Sequence, residues 1–326
     1  MKKVISILAA CLMLISLLSV FVCAGDAALK FNTDGKFTIL QIADTQDDMY
    51  MAYELPEFIE KAVELAKPDL IVFTGDTVEN SRIADAGKDA QGWREGVTVK
   101  GDYEKTLENT KIACDNVFSI INDKHIPFAV TQGNNDYSSG VLNSDWLDIY
   151  SEYEYCLVKD ESSDPDGRID YSLPISSSDG KRMAFNLYLM DNARDSDLSE
   201  QQRQWYIDKS NSLKKSAGHP VKSFVFEHTP IAETGNLFEK CMPWESRALS
   251  GGFAFYKLGP DSEGYADVYQ IPGLHSEQFR LWKEQGDVIG AYFGHVHSDG
   301  YTGIYDGIEL GLTYGCQFSK AGPYGI

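Results

Sequence analysis

The sequence predicts a layered α/β fold, and two observations support that prediction. Short, almost continuously apolar runs recur along the chain, and patterns typical of amphipathic helices lie between them. Such apolar runs are typical of strands that are covered on both faces, and alternation of strand and helix is typical of layered α/β domains. The sequence shows no internal repeat and no low-complexity linker, so we predict one domain over residues 25–326.

The predicted elements follow one another along the chain. Apolar runs predict strands at 37–43, 70–73, 127–130, 184–190, 223–226 and 288–293. Helical spacing of apolar residues predicts helices at 56–66, 103–123, 197–216 and 276–285. Asp197 and Glu200 predict a capping box at the start of the third helix, and Ser276 is the expected N-cap of the fourth.

Two long stretches fit this alternation poorly. Residues 137–180 are aromatic, acidic and rich in turn-forming residues, and residues 235–275 mix aromatic residues with glycine and proline. Loops of this length inside a compact domain are usually functional or disordered. We predict insertions beside the functional site that shape a substrate pocket, with surface elaboration as the alternative.

The composition is ordinary for a globular protein, but the charge is strongly acidic. The 326 residues include 29 basic and 49 acidic side chains, for a formal charge of −20, and 43% are hydrophobic. This acidic excess argues against binding to a nucleic-acid backbone, because its phosphates would be repelled. It also argues against electrostatic docking on an anionic membrane.

Residues 1–24 have the pattern of an export signal. Lys2 and Lys3 precede an almost wholly apolar run over 4–22, and Ala24 follows as a small residue suited to cleavage. We therefore predict cleavage near Ala24, an extracellular or cell-envelope location, and no stable membrane association afterwards. Two alternatives stay open: an uncleaved anchor, since about nineteen apolar residues can cross a bilayer, and lipidation at Cys11.

Removal of the leader leaves four cysteines, Cys114, Cys156, Cys241 and Cys316. None of them has the CxxC spacing of a zinc knuckle. Two disulfides in any of three pairings and four separate buried thiols are both compatible with an exported domain of this size.

Polar residues with metal-binding groups follow most of the predicted strands. Side chains at the carboxyl ends of strands converge on one crevice in open α/β sheets. Carboxylate and amide oxygens mixed with imidazoles suit a pair of divalent first-row ions. The histidines outside these segments, His125, His219 and His275, are predicted to be surface or loop residues. The segments are Asp44-Thr45-Gln46, Gly75-Asp76, Gly133-Asn134-Asn135-Asp136, Glu227-His228 and Gly294-His295-Val296-His297.

This ordered series resembles the calcineurin-like metallophosphoesterases, whose motifs run DxH, GD, GNH[DE], H and GHxH. The resemblance spans residues 37 to 315, and within the family it is nearest to exported members that are similar to purple acid phosphatases. It implies a four-layer αββα sandwich with a binuclear metal centre at the carboxyl ends of the strands. It also leads us to expect that the native chain continues past residue 326 into another strand.

The resemblance also implies a role for each matching residue. By position, two divalent ions (Mn, Fe, Zn or Mg) would be bound, with Asp76 as the bridge between them. The implied activity is hydrolysis of phosphate mono- or diesters, in which a metal-bound hydroxide attacks the phosphorus in line. The ions would supply the positive charge that attracts phosphate to an acidic protein. The first ion would be held by Asp44 and His297, and the second by Asn134, His228 and His295.

Two residues depart from the family pattern. Gln46 replaces the histidine of the first motif, and its carbonyl oxygen would ligate the first ion more weakly and favour Mn²⁺ or Mg²⁺ over Zn²⁺. Asn135 replaces the histidine of GNH[DE], which in the family is thought to stabilise or protonate the leaving group together with the following acid, here Asp136. An amide cannot act as a general acid, and losing that step costs roughly 10²–10⁴-fold for a poor leaving group.

Three functions therefore compete. The first is a working phosphoesterase. The second is a non-catalytic module that keeps a metal site and binds a phosphorylated or glycan ligand. The third is a metal-dependent hydrolase of a different ester or amide. The sequence contains neither His-Glu-x-x-His nor Gly-x-Ser-x-Gly, which argues against the usual zinc protease and serine esterase sites.

Overall fold

A computed structural model of the protein describes residues 29–79, 83, 102–164, 167–193, 197–269 and 276–318. The predicted leader (1–24), His275 and the end of the chain from residue 319 lie outside these ranges. Export, lipidation and a continuation past residue 326 therefore stay predictions. Within the same ranges, no helix is both long enough and apolar enough to span a bilayer.

The strands form two main sheets and one small sheet. Strands β1, β2 and β3 form a parallel sheet in that order, and seven strands form a mixed sheet in the order β10-β12-β13-β11-β6-β5-β4. The small antiparallel sheet has the order β7-β9-β8. The strand bounds are β1 (Ile39–Ile42), β2 (Leu70–Thr74), β3 (Phe128–Thr131), β4 (Tyr171–Ser176), β5 (Met183–Leu189), β6 (Ser223–Phe226), β7 (Phe238–Cys241), β8 (Leu249–Ser250), β9 (Phe255–Leu258), β10 (Ser262–Tyr265), β11 (Val288–Phe293), β12 (Gly300–Tyr305) and β13 (Ile308–Leu312).

The four predicted helices are confirmed, and the helix predicted at 103–123 also starts where predicted. The predicted capping box at Asp197 and Glu200 is wrong, because the box is formed by Ser199 and Gln202. The Asp197 carboxylate instead accepts hydrogen bonds from the backbone N–H groups of Glu277 and Gln278. Ser276 caps the last helix as predicted. The helices are α1 (Leu55–Ala66), α2 (Tyr103–Asn122), α3 (Asn134–Ser138), α4 (Asn143–Ser151), α5 (Glu200–Ala217) and α6 (Glu277–Gln285), with a 3₁₀ helix at Ala232–Leu237.

The two stretches that we predicted to be insertions are partly framework. Residues 137–180 contain α4 and the edge strand β4, whose Pro174 is exposed where an edge strand tolerates proline. Residues 235–275 contribute the small sheet and also β10, which pairs with β12 in the seven-stranded sheet. The prediction of insertions is therefore wrong for β4 and β10.

Alternate residues of the central strands face two separate hydrophobic cores. In β5, Leu187 and Leu189 belong to one core and Tyr188 belongs to the other. Met190, which directly follows the strand, also belongs to the second of these cores. The first core joins α1 and α2 with the three-stranded sheet and one face of the seven-stranded sheet. The second joins the opposite face with α5 and α6. This packing confirms the predicted α/β fold, whereas the exact four-layer order stays a prediction.

The four cysteines of the domain are all free thiols. Cys114 lies in α2 and is fully buried, and Cys156 after α4 is buried. Burial raises the pKa of the Cys156 thiol to about 12, so this thiol stays neutral. Separate thiols are therefore confirmed over two disulfides, but Cys241 and Cys316 are half-buried rather than buried.

Candidate metal centre

The predicted ligands leave their strands on tight backbone turns. Asp44, Gln46, Asp76 and His295 have φ angles of 55°, 42°, 50° and 70°, in the left-handed region that costs a non-glycine residue roughly 1–3 kcal/mol. Hydrogen bonds hold these turns together. The backbone N–H of Asp44 donates to the Gly75 carbonyl at 3.0 Å, and that of Gln46 to the Asp76 carbonyl at 2.9 Å. The ends of β1 and β2 are thereby joined.

Two glycines allow the loops to approach the carboxylates. A Cβ atom on Gly133 would lie 2.1 Å from Asp76 Oδ1, and one on Gly294 would lie 2.7 Å from Asp44 Oδ2. Such distances exclude any side chain. The glycines of the GN and GH segments are therefore needed for close packing around the two aspartates.

The half of the centre that would hold the second ion, called the second half, is built by Asn134, His228 and His295. The carbonyl of Thr74 lies 2.8 Å from His228 Nδ1, and because a carbonyl can only accept, Nδ1 carries the proton. The lone pair of Nε2 then faces inward, 3.1 Å from Asn134 Oδ1 and 3.2 Å from His295 Nδ1. Asp76 Oδ1 lies 3.4 Å from the same nitrogen. Three atoms able to donate lone pairs thus lie within 3.4 Å of His228 Nε2.

The half of the centre that would hold the first ion, called the first half, is built by Asp44, Gln46 and His297. Ligand atoms of Asp44, Asp76 and His297 all lie within 4.8 Å of one another. Asp44 Oδ1 is buried and accepts no hydrogen bond from the described residues, although His297 Nε2 lies 3.1 Å away. A buried carboxylate oxygen beside an imidazole fits a divalent cation.

The two residues that depart from the family pattern meet at one atom. Gln46 Nε2 and Asn135 Nδ2 both donate hydrogen bonds to Asp76 Oδ2, at 3.0 and 2.5 Å. The backbone N–H of Asn135 donates to the other oxygen, Oδ1, at 2.7 Å. Both amides therefore face Asp76 with their N–H groups and not with their carbonyl oxygens.

The electrostatics of the centre favour cations. Burial lowers the pKa of His228, but the carboxylates of Asp76 and Asp44 outweigh it and raise that pKa above its usual value. The pKa of His297 is raised by Asp44 against the same effect of burial. Burial and the neighbouring His228 lower the pKa of His295, which keeps this ring neutral and available as a ligand. Protons and metal ions thus compete for the same negative field.

Asp136, which we predicted to be catalytic, lies behind the centre. It is fully buried, and its two oxygens accept hydrogen bonds from the backbone N–H groups of Val78 and Gly133 at 3.1 and 2.9 Å. Burial and the neighbouring Asp76 raise its pKa above the usual range. These hydrogen bonds hold the loop that carries Asn134 and Asn135. Asp136 thus supports that loop from behind.

Asn192 and Gln317 support the centre and were not predicted. Asn192 Oδ1 accepts the backbone N–H of His228 at 3.0 Å, and Gln317 Nε2 lies 2.5 Å from His297 Nδ1. Asn192 lies two residues after the apolar run that ends at Met190, which is the same signal that identified the other segments. Gln317 has no such signal. His125 stacks on Tyr155 and His219 is exposed, as predicted for histidines outside the centre.

The fold and the centre define a class: α/β proteins with aspartates, an asparagine and histidines gathered at the carboxyl ends of parallel strands. The calcineurin-like phosphoesterase family model matches residues 37–299, and the chain belongs to that family.

Similar proteins agree with this assignment. A protein of Arabidopsis thaliana named probable inactive purple acid phosphatase 14 is 24% identical over 344 residues, covering 92% of this chain and 75% of that protein. Phosphatase DCR2 of Saccharomyces cerevisiae is 24% identical, covering 85% of this chain and 46% of that protein. A dimetal phosphatase structure from Danio rerio has a TM-score of 0.50 at 14% identity, covering 86% of this chain and 88% of that one.

Proposed function

We propose that this chain is a metal-dependent phosphoesterase that hydrolyses phosphate mono- or diesters. The observation that supports the proposal is the convergence on His228 Nε2 of Asn134 Oδ1, His295 Nδ1 and Asp76 Oδ1 at 3.1, 3.2 and 3.4 Å. Atoms that offer lone pairs this close together repel one another unless a proton or a metal ion lies among them. Two divalent ions bound in the two halves would polarise a phosphoryl oxygen and activate water.

The residues of the chain prepare the site for that chemistry. Asp44 and Asp76 supply negative charge that holds the ions, and Thr74 and Asn192 fix the ring and backbone of His228. Asn135 has no titratable proton, so it cannot protonate a leaving group. The site should therefore act best on esters whose leaving group needs no proton.

The acidic surface and the predicted leader complete this proposal. A phosphate ester would be drawn by the ions rather than by the protein, whose net charge is −20. For the same reason we do not expect a nucleic-acid backbone to bind. An exported chain would act outside the cell or in the cell envelope, without stable attachment to a membrane.

The test is hydrolysis of p-nitrophenyl phosphate and bis(p-nitrophenyl) phosphate with and without Mn²⁺. Activity should require the metal, vanish with a chelator and return when Mn²⁺ is restored. His228→Ala should abolish it, and His125→Ala, far from the centre, should leave it unchanged. Absence of hydrolysis from a folded, metal-loaded protein would contradict the proposal.

Two observations favour a second candidate. The amides of Gln46 and Asn135 already satisfy Asp76 Oδ2, and a relative carries the name probable inactive purple acid phosphatase 14. A non-catalytic module that holds metal and binds a phosphorylated or glycan ligand would have these properties. Inorganic phosphate that binds the metal-loaded protein, with no hydrolysis of either ester, would favour this candidate.

A further inference from the structure

Glu227 precedes the ligand His228, but its side chain points away from the centre. Consecutive residues of an extended segment face opposite sides, and His228 is the one whose ring faces the other ligands. Glu227 is fully buried, and its Oε2 accepts hydrogen bonds from Asn192 Nδ2 and Gln278 Nε2, both at 3.0 Å. Burial of a carboxyl group costs free energy unless the group is hydrogen-bonded, and these two contacts offset that cost.

The Asn192 amide connects Glu227 to the backbone of the ligand segment. Its Oδ1 accepts the backbone N–H groups of His228 and Thr229 at 3.0 and 2.9 Å. Its Nδ2 donates to the Thr229 carbonyl at 2.7 Å as well as to Glu227. A backbone N–H can only donate and a carbonyl can only accept, so this network admits one orientation of the amide. Asn192 therefore holds the backbone that carries the His228 ring.

Gln278 anchors this chain of contacts in helix α6. It lies in the first turn, where Ser276 caps the helix and the Asp197 carboxylate accepts the backbone N–H of Gln278 at 3.3 Å. Gln278, Glu227 and Asn192 are all buried, and hydrogen bonds in such surroundings are stronger than in water. A fixed helix end is thereby connected to a metal ligand through three side chains.

We infer that Glu227 and Gln278 are positioning residues for His228 and act through Asn192. Their side chains fix the Asn192 amide, which in turn fixes the backbone of His228. This inference rests on the metal centre of the proposed function and concerns how one of its ligands is held. Loss of a residue that orients a ligand typically weakens metal binding by about 10–100-fold. We expect the lower end of this range, because Glu227 acts through a second residue.

The test compares two substitutions of Glu227 in the full chain. Glu227→Met keeps the length of the side chain but removes the acceptor, so N–H groups of Asn192 and Gln278 lose their buried partner. Calorimetric titration with Mn²⁺ should then show about 10-fold weaker binding. Glu227→Gln keeps an oxygen that can accept both hydrogen bonds and should bind Mn²⁺ like the wild type. Glu284→Met makes the first change on the exposed face of α6 and should have no effect.

A second measurement needs no metal. Asn192 Oδ1 accepts the backbone N–H groups of His228 and Thr229, so Glu227→Met should selectively speed hydrogen exchange at these two amides. The amides of β6, which are held by strand pairing, should keep their rates. Equal acceleration throughout β6 would indicate a general loss of stability and contradict a positioning role. If Glu227→Met does not fold, Gln278→Met removes one donor instead and should shift both measurements in the same direction.

The outcomes separate this inference from the proposed function. Equal weakening in Glu227→Met and Glu227→Gln, or none in either, would overturn the positioning role and leave the phosphoesterase proposal standing. Weakening in Glu227→Met alone, with no hydrolysis by the metal-loaded wild type, would support the inference and contradict the proposal. If the wild type bound no Mn²⁺, the proposal would fail, and hydrogen exchange at His228 and Thr229 would still decide the inference.

Discussion

The carbonyl oxygen of Thr74, the last residue of β2, lies 2.8 Å from Nδ1 of His228, which follows β6. This contact and the hydrogen bond from the His295 backbone N–H to Asp44 Oδ2 join the two main sheets at the centre. The Thr74 contact also decides which nitrogen of the ring carries the proton and which faces the other ligands. A backbone atom thus sets the chemistry of a side chain more than a hundred residues away along the chain, since the sequence separation is 154.

The first prediction concerns the carboxylate shared by both halves. Asp76→Ala removes the only bridging ligand that we assign, so no ion should survive desalting, and elemental analysis of the metal measures this. His125→Ala, whose ring stacks on Tyr155 with centroids 5.0 Å apart, should retain the wild-type metal content. A full complement of metal in the Asp76 variant would show that the ligands have been assigned wrongly.

The second prediction concerns the missing general acid. Asn135→His should raise kcat/KM for alkyl phosphates by about 10-fold or more, because an imidazolium can protonate the leaving oxygen. The gain for nitrophenyl esters should be small, since their leaving group needs little protonation. The gain should fade above a pH of about 6.5, the usual imidazole pKa. Equal behaviour of both ester classes in wild type and variant would place the acid elsewhere.

The third prediction concerns Gln317 as a positioning residue. If His297 ligates through Nε2, its Nδ1 carries the proton, and rotation of the Gln317 amide places Oε1 to accept it. Gln317→Met preserves length but removes the acceptor, and should weaken the first-half ion by about 10–100-fold in calorimetric titration. Gln317→Glu keeps an acceptor and should restore binding. A role in packing alone would leave the two variants alike.

The fourth prediction concerns the pH dependence of stability. Asp170 is fully buried, and burial together with Asp191 raises its pKa to about 7 from 3.8. Between these values the folded protein holds a proton that the unfolded chain releases, so stability falls as pH rises through this window. Asp170→Asn keeps an oxygen for Gln202 and does not titrate. Its free energy of unfolding should exceed that of the wild type by on the order of a few kcal/mol above the window.

Thermal and denaturant unfolding across this pH range would measure the effect. Asp208→Asn makes the same change on the exposed face of α5 and should leave the shape of the pH profile unchanged. Parallel profiles for wild type and Asp170→Asn would mean that Asp170 is ionised in the folded protein.

Strands could be predicted from the sequence where both faces of the strand are buried. The runs at 70–73, 223–226 and 288–293 became β2, β6 and β11 almost to the residue, because a strand covered on both sides has few polar positions. The hairpin of β12 and β13 was missed, since its residues are rich in glycine and polar side chains. Its turn at Asp306-Gly307, with φ angles of 45° and 79°, has the Asp-Gly signal of a tight hairpin.

The functional site was predictable in its parts but not in its contacts. The order of the segments along the chain was enough to gather them, because all follow strands at one edge. Sequence proximity could not show that Asp136 turns inward to Gly133, because consecutive residues at the start of α3 point in different directions. It also could not show that Gln46 and Asn135 share one oxygen, because only the folded backbone brings the two together.

The left-handed turns at positions 44, 46, 76 and 295 also restrict the amino acids that these loops accept. Asn, Asp and His enter that conformation several-fold more often than other non-glycine residues, and β-branched residues are outliers there. Asp44, Asp76 and His295 belong to the tolerant group and Gln46 does not. Main-chain geometry alone thus favours, at all four positions, the residue types that also bind metals. A selection for folded protein alone, blind to metal and substrate, should therefore recover Asn, Asp or His at position 46.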